Sequence, residues 1–396
     1  MTDVGEVDID NGGAEGAAGF PAPRPAHSAA CHEMLLRLAG QGPDDLLTRC
    51  RTWLARGRRS DIGRALAHTA LAWGMRISES DLELLAGLLR EARADPTALA
   101  LVARAEPTGL MYGFAPTLAL AADALAGRVD PSDFWPGEGG SQATAPHDGV
   151  CQAAIRSVTD STQATALWRA WRFPADGSPW PNPRRVYVIE TDGDADPAAL
   201  TGAVQKALLS AGEDAPQVET YPIGAELPEY QRHARAFGAL LWAREPDPGI
   251  RFAELFPDEG IEDSADENRP PLDEAERALL SAYLWAGEPL LVSDEPEADP
   301  LDPDAYEMVP LSVRTDGVWI WSDAVALCLD RHGLSPHSEL VRQARSRGFV
   351  APSVQGAAVY RALAALRSPD PDSPDSPDSH YPDYRNPDYQ DPDSPW

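Results

Sequence analysis

The chain has 396 residues, and its 63 acidic and 33 basic side chains give it a formal net charge of −30. This length is too great for one ordinary domain, so we expect two or three folded units. The acidity argues against nucleic acid and against an anionic membrane surface, because both attract clustered Lys and Arg. It favours instead a protein partner with a basic surface.

Several common sites and targeting signals also lack their usual patterns in this sequence. There is no run of about 18 apolar residues and no charged-then-apolar leader, so neither a transmembrane helix nor a secretory signal is predicted. No phosphate-loop, dinucleotide-binding or nucleophile-elbow motif occurs. We therefore predict a cytoplasmic protein with no cofactor and no metal. Its cysteines are scattered without metal-binding spacing, at Cys31, Cys50, Cys151 and Cys328.

The N-terminal part of the chain is predicted to be helical after a disordered start. Residues 1–30 are rich in Gly, Ala, Asp and Pro, a composition typical of disorder. From 31 to 134 apolar residues recur at helical spacing, for example within 44–57 and 61–74. Short loops between amphipathic helices favour an antiparallel bundle, and a helical-repeat array is the alternative. The Gly-rich residues 135–147 are typical of a linker.

A central α/β domain is predicted over residues 148–257. Its predicted order of two strands, helix, strand and helix is typical of a compact sandwich of about 100 residues. The acidic residues 258–270 form a second predicted linker. The expected strands lie at 164–173, 184–191 and 217–223, and the expected helices at 197–211 and 228–243.

Residues 271–367 are predicted to form an α+β domain that contains a β-hairpin and three final helices. The hairpin spans 309–321, where apolar residues alternate with smaller or polar ones before the turn. The turn falls at Asp316 and Gly317, a pair that favours a two-residue turn with positive φ at the glycine.

Local signals also predict the boundaries of the helices that follow this hairpin. Ser322 stands at an N-cap position, and Gly333 is placed to end the helix that Ser322 begins. Ser335 and Pro336 then predict the cap and first residue of the next helix.

Residues 368–396 form an Asp- and Pro-rich tail in which Pro-Asp recurs before Ser and Tyr. Proline at this density is incompatible with helix and sheet, so the tail is predicted to be disordered. Its aromatic side chains are candidate anchors for a basic partner, and the alternative is a tail that only aids solubility. These side chains are Tyr381, Tyr384, Tyr389 and Trp396.

Three runs of this sequence are specific as strings: TALWRAWRFPADGSPWPNPRRVYVIE, LPEYQRHARAFGALLWA and RTDGVWIWSDAVALCLDRHGLSPHSELV. They resemble segments of an uncharacterised actinobacterial protein family. The resemblance covers roughly residues 150–366 and implies a shared fold. The family has no established activity, so the resemblance implies no catalytic residue for this chain.

The best candidates for chemistry lie around the hairpin and the helix that follows it, at Arg314, Asp316, Asp323 and His332, and the weak candidates for a catalytic site are Arg314, Asp323 and His332. A guanidinium, a carboxylate and an imidazole are groups that active sites use. Asp323 and His332, however, are nine positions apart, which is about two and a half turns of one helix. In the alternative interpretation each has a local role, because Asp suits a helix start and His suits a helix end.

Trp168 and Trp171 are candidate binding residues because Arg169 and Arg172 interleave with them. Alternation along a strand puts the two tryptophans on opposite faces. Aromatic and Arg side chains are enriched at protein interfaces. The alternative is that the tryptophans pack in the core and the arginines pair with nearby carboxylates.

Together these patterns predict an α+β multidomain fold: an N-terminal helical bundle, a small central α/β sandwich and a C-terminal α+β unit. The leading hypothesis is a non-catalytic protein–protein interaction or regulatory protein whose partner has a basic surface. The alternative is an enzyme or a small-ligand-binding protein with its site in residues 271–367.

Overall fold

The computed structural model describes residues 25–104, 110–131, 134–135, 148–178, 181–253, 272–292, 296–298, 308–310 and 312–367. These residues form a mixed α+β structure with helices and several small sheets. The predicted linkers and the tail fall mostly or wholly outside the described residues. The predicted disorder of residues 1–30 is wrong at its end, because the first helix already begins at Pro25.

The N-terminal part is largely helical, as the apolar spacing predicted. Its first four helices share a core to which each contributes buried side chains, among them Cys31, Leu47, Leu66 and Leu85. The helices of this part are α1 (Pro25–Arg37), α2 (Asp44–Ala55), α3 (Arg59–Trp73), α4 (Glu79–Glu91) and α5 (Leu118–Leu125).

A purely helical bundle is nevertheless the wrong description of residues 31–134, because three short strands interrupt it. Strands β1 (Arg76–Ile77) and β2 (Ala103–Arg104) pair in parallel with each other. Strand β3 (Tyr112–Ala115) leaves the helices and pairs antiparallel with a strand of the central sheet. Runs of two to four residues are too short to carry a recognisable strand period.

The central sheet is covered by helices on both of its faces. One face packs against α6 and α7, and the other packs against α8 and against α12 (Gly356–Arg367), the last helix among the described residues. The strands are ordered β3-β4-β5-β6, with β7 paired to β4. The elements are α6 (Gly149–Thr159), β4 (Ala164–Pro174), β5 (Arg184–Thr191), α7 (Pro197–Ser210), β6 (Gln217–Pro222), α8 (Glu229–Ala236) and β7 (Ala239–Ala243).

The predicted helix at 228–243 is wrong in its second half, where the structure has strand β7. The reason lies at Gly238, which follows the C-cap of α8 and packs closely against the backbone of β4. A Cβ atom there would lie 2.6 Å from the Ala234 carbonyl oxygen and 3.0 Å from the Arg169 carbonyl oxygen. The apolar run after Gly238 then pairs with β4.

The C-terminal part contains a second sheet, in the order β8-β13-β12-β9, with helices packed against it. Strands β12 and β13 form the predicted hairpin, and β13 leads directly into α10. The elements are β8 (Arg251–Phe252), α9 (Glu274–Trp285), β9 (Glu288–Leu291), β10 (Pro296–Ala298), β11 (Met308–Pro310), β12 (Val313–Thr315), β13 (Trp319–Ser322), α10 (Asp323–His332), α11 (Ser338–Ser346) and α12 (Gly356–Arg367).

The hairpin turn has the predicted positive φ at Gly317, which is +90°. Three residues rather than two lie between the strands, because β12 ends at Thr315 and β13 begins at Trp319. The Asp316 side chain closes the wider loop by accepting hydrogen bonds from the backbone N–H groups of Val318 and Trp319.

The helix boundaries after the hairpin agree with the prediction in two of three places. Ser322 occupies the N-cap position of α10, although its side chain makes no capping hydrogen bond, and Gly333 ends the helix in the left-handed region. The start predicted at Ser335 and Pro336 is wrong. Helix α11 begins at Ser338, because the His337 side chain accepts the hydrogen bond from the Glu339 N–H and so serves as the cap.

Candidate functional site

A groove of about 690 Å³ lies where the N-terminal helices meet the edge of the central sheet. The ends of α1 and α3, strand β1, the start of β3 and the segment leading into α8 all contribute to its lining. Most of the lining side chains are apolar, including Trp73, Met75, Met111, Tyr112, Leu227 and Tyr230.

Two large apolar side chains in this groove are exposed to solvent. Trp73 is 70% exposed at the end of α3, and Met111 is 60% exposed just before β3. The helix stops at Trp73 because Gly74 follows it in the left-handed conformation, which turns the chain away. Exposed apolar side chains that line the same concave site are typical of a binding surface.

The floor of the groove is held by contacts that reach into the core. The Tyr230 ring packs edge-on against Phe114, with ring centroids 5.1 Å apart. The Arg172 guanidinium lies 4.4 Å from the centre of the Tyr112 ring and donates a hydrogen bond of 3.2 Å to the Tyr230 hydroxyl. Arg172 is in turn fixed by Asp44, at 2.7 and 3.0 Å. The apolar floor is therefore preorganised.

Charged groups of both signs border the apolar floor. Arg37 and Arg76 come from the N-terminal helices and β1, and Glu226 and Glu229 come from the start of α8 and the residues before it. Arg37 is paired with Asp81 at 2.7 Å. Within the described part of the chain, Arg76, Glu226 and Glu229 form no ion pair, so their charges are available to a bound group.

Trp168 is not a surface binding residue, and this prediction is wrong. Its side chain is 0% exposed and lies on the face of β4 that packs against α8 and α12. The prediction assumed that one face of the sheet is open, but helices cover both faces. Trp171, on the other face, is half-buried, and the Arg185 guanidinium lies 4.9 Å from its ring centre.

The structure brings Arg314 and Asp323 together but leaves His332 apart from them. The Arg314 Nε atom donates to the Asp323 carboxylate at 2.6 Å, and its Nη1 atom donates to the carbonyls of Trp285 and Gly287. Asp323 and His332 are the first and last residues of α10, which separates them by about 13 Å along the helix axis. The three side chains therefore do not converge on one reaction centre.

The buried carboxylate of Asp316, which the sequence indicated as a candidate for chemistry with a turn role as the alternative, lies at the centre of this C-terminal part. The Asp316 Oδ2 atom accepts hydrogen bonds from Tyr283 at 2.5 Å, Gln343 at 2.5 Å and Arg347 at 2.8 Å. Burial, followed by the hydrogen bond to Asp316, raises the pKa of the Tyr283 hydroxyl. These contacts link the hairpin to α9 and α11, and they use the hydrogen-bonding capacity of the carboxylate oxygen. We assign this cluster a structural role.

The remaining predicted anchors, Tyr381, Tyr384, Tyr389 and Trp396, lie outside the described residues. Over the part of the chain that the structure describes, no group of three or more His, Cys, Asp or Glu side chains is placed to hold a metal ion. None of the helices described is both long enough and apolar enough to cross a bilayer.

Comparisons with family models, with curated proteins and with solved structures gave no match.

Proposed function

We propose that this is a non-catalytic protein–protein interaction or regulatory protein of the cytoplasm, and that the groove binds a short segment of its partner. The observation that carries the proposal is the exposure of Trp73 and Met111, which both line one preorganised groove. Trp is enriched among the residues that dominate binding energy, and Met adapts its shape to apolar partners.

The acidic side chains at the border of the groove and the negative net charge favour a partner segment that carries Lys or Arg beside an apolar anchor. Glu226 and Glu229 border the groove without ion-pair partners among the described residues, so a basic side chain next to the anchor would meet them. The net charge of −30 adds a long-range attraction that speeds association with a basic protein. A groove of this volume accommodates a few side chains.

A selection from a phage-displayed library of random linear peptides tests this proposal without a known partner. We expect the full chain to enrich peptides with Trp, Phe or Leu next to Lys or Arg. The Trp73→Ser/Met111→Ser variant should bind a selected peptide at least about tenfold more weakly, because losing about 1.4 kcal/mol has that effect. The charge-reversed variant Glu226→Arg/Glu229→Arg should instead enrich peptides with Asp or Glu.

A matched control distinguishes peptide binding in the groove from binding to exposed apolar side chains elsewhere on the surface. Leu118 and Leu209 are also exposed, at 47% and 49%, and neither lines the groove. The Leu118→Ser/Leu209→Ser variant should bind the selected peptide as the wild type does. Equal loss in both double variants, or a wild-type selection with no shared pattern, would contradict the proposal.

Two further parts of the functional hypothesis, the aromatic tail and the catalytic alternative, do not involve the groove. The aromatic tail at 368–396 remains a candidate second contact for a basic partner, because its rings and carboxylates suit such a surface. The rival catalytic hypothesis lacks support from geometry, since Arg314 and Asp323 anchor backbone carbonyls and a helix start, while His332 lies at the other end of α10.

A further inference from the structure

Strand β3 lies at an edge of the central sheet, because β4 is its one neighbour among the described strands. The two strands are antiparallel, with Tyr112 opposite Pro174 and Gly113 opposite Phe173. In an antiparallel pair, residues whose N–H and C=O groups face the partner strand alternate with residues whose groups face away from it. In an edge strand the groups that face away point out of the sheet.

One hydrogen bond fixes which residues of β3 face outwards. The Ala175 N–H group donates to the Met111 carbonyl at 3.0 Å, at the position that continues the register of the two strands. Met111 and Gly113 therefore face β4, and Tyr112 between them faces away. Pro174 opposite Tyr112 agrees with this assignment, because its missing N–H costs β3 no hydrogen bond at such a position.

The rest of the described chain leaves the outward-facing groups of Tyr112 unused. No described residue forms a hydrogen bond with its backbone N–H or C=O group on that side. Tyr112 is half-buried, whereas Phe114, the next residue with the same orientation, is only 3% exposed. The accessible part of the edge is therefore the start of β3, which also lines the groove.

The groove follows this edge, since side chains on both sides of the strand line it. The Tyr112 side chain packs on the face that α8 covers, and Met111, directly before β3, alternates to the opposite face. Both nevertheless line the groove, together with Tyr230 and Glu229 from the first turn of α8. A strand laid along the edge has one row of side chains beside Tyr112 and the other beside Met111.

We propose that the partner segment binds in the groove as an extended strand, which adds to the central sheet at Tyr112. The inference rests on the proposed function, which assigns the groove to a short basic segment, and it adds the conformation and main-chain contacts of that segment. Hydrogen bonds to the Tyr112 N–H and C=O groups supply affinity, and the side chains of the segment supply specificity. Glu229 lies on the Tyr112 side, so the apolar anchor and a Lys or Arg occupy positions i and i+2 of the segment.

Amide hydrogen exchange, followed by NMR on the full chain, tests the main-chain contact. The probe is the tightest-binding peptide from the random-peptide selection, made synthetically and added at saturation. The Tyr112 amide should exchange at least about tenfold more slowly with the peptide than without it. The Gly113 amide faces β4 in both states, so it is the internal control and should change by less than about twofold.

N-methylation of the probe, at one peptide nitrogen at a time, distinguishes an added strand from a bound helix. In an added strand only every second N–H group faces β3, so methylation should weaken binding at least about tenfold at alternate positions and less than about threefold between them. A helical peptide uses its N–H groups for its own hydrogen bonds, so its losses should not alternate.

The two experiments can contradict strand addition without contradicting peptide binding in the groove. Slower exchange at Tyr112 together with alternating N-methyl losses supports strand addition. Binding that depends on Trp73 and Met111 but leaves the Tyr112 amide unprotected, or that shows losses without alternation, overturns strand addition and leaves the proposed function intact. A wild-type chain that selects no peptide contradicts the proposed function and, with it, the inference that rests on it.

Discussion

Removal of Arg51 would test how the N-terminal helices are held to the central sheet. The Arg51 Nη2 atom lies 2.6 and 2.8 Å from the two carboxylate oxygens of Glu219, and the side chains are 2% and 0% exposed. The Arg51→Met variant keeps an apolar stem of similar shape. It leaves the carboxylate with a hydrogen bond of 3.0 Å from Gln231 and no direct ion-pair partner.

The expected loss of stability is about 3–5 kcal/mol, because removing one partner strands the other charge in a buried site. The double variant Arg51→Met/Glu219→Gln has no stranded charge, so it should recover most of that loss. Glu219→Gln alone strands the guanidinium instead and should resemble Arg51→Met. The single and double variants together form a double-mutant cycle, which isolates the energy of the pair from the effects of each side chain.

The pH dependence gives this prediction a second, independent readout. Burial raises the pKa of the Glu219 carboxyl, and Arg51 opposes that rise. Without Arg51 the folded protein binds the Glu219 proton more tightly than the unfolded chain does. The stability of Arg51→Met should therefore increase, relative to the wild type, as the pH falls from about 7 to about 5.

Denaturant titrations followed by circular dichroism measure both effects. Equal stability of Arg51→Met and the double variant near neutral pH would refute the reasoning, because the loss would then come from packing and not from a stranded charge. A difference between Arg51→Met and the wild type that does not narrow on acidification would refute it as well.

Two further predictions concern single positions. Gly317→Val should lower the free energy of unfolding by about 1–3 kcal/mol, because a β-branched residue is strained at φ +90°; an added Cβ meets its neighbours only at 3.5 Å, so sterics add little. Gly317→Asn should cost less in the same denaturant titration, and equal losses would contradict the backbone explanation. Burial lowers the pKa of His32, and its Nε2 atom lies 2.7 Å from the Thr220 carbonyl oxygen. The wild type should lose stability as the pH falls below about 6.5, by at most about 1.4 kcal/mol per pH unit. His32→Gln keeps a donor for Thr220 and should lack this slope; parallel pH profiles for the two proteins would exclude His32 as its source.

The parts of the fold that the sequence predicted well depend on neighbours in the chain. The turn glycine, Gly317, and the helix-ending glycine, Gly333, both have the positive φ that their positions required. The helices of the N-terminal part follow from apolar spacing within each segment. Such features are decided within a few residues, so a single sequence contains the information.

The start of α11 was missed at a local cap, His337, but the larger errors arose where a distant segment decided the outcome. The burial of Trp168 depends on α12, whose buried residues Ala357 and Tyr360 share its core cluster although they lie far along the chain. The local sequence of β7 predicts a continuation of α8, but the segment forms a strand because it pairs with β4. Neither packing partner can be identified from local periodicity, which indicates only the spacing of apolar residues and not what covers them.

The groove was missed for the same reason. Trp73, Met111 and Tyr230 come from three elements that are far apart in sequence and meet only in the folded chain. The one local signal was an apolar residue, Trp73, directly before the helix-ending Gly74. That position exposes a side chain at the end of a helix, but it does not reveal what lies beside it.

Buried charge pairs connect parts of the chain that composition alone had separated into modules. Asp44 and Arg51 of α2 bind Arg172 of β4 and Glu219 of β6. These contacts cross the predicted boundary at residues 135–147, and β3 crosses it as an added strand. Because one side of the groove belongs to the helices and the other to the sheet, its shape depends on these same pairs. Moving the helices away from the sheet would separate Trp73 from Met111, so the charges that join the two parts also set the geometry of the proposed binding site.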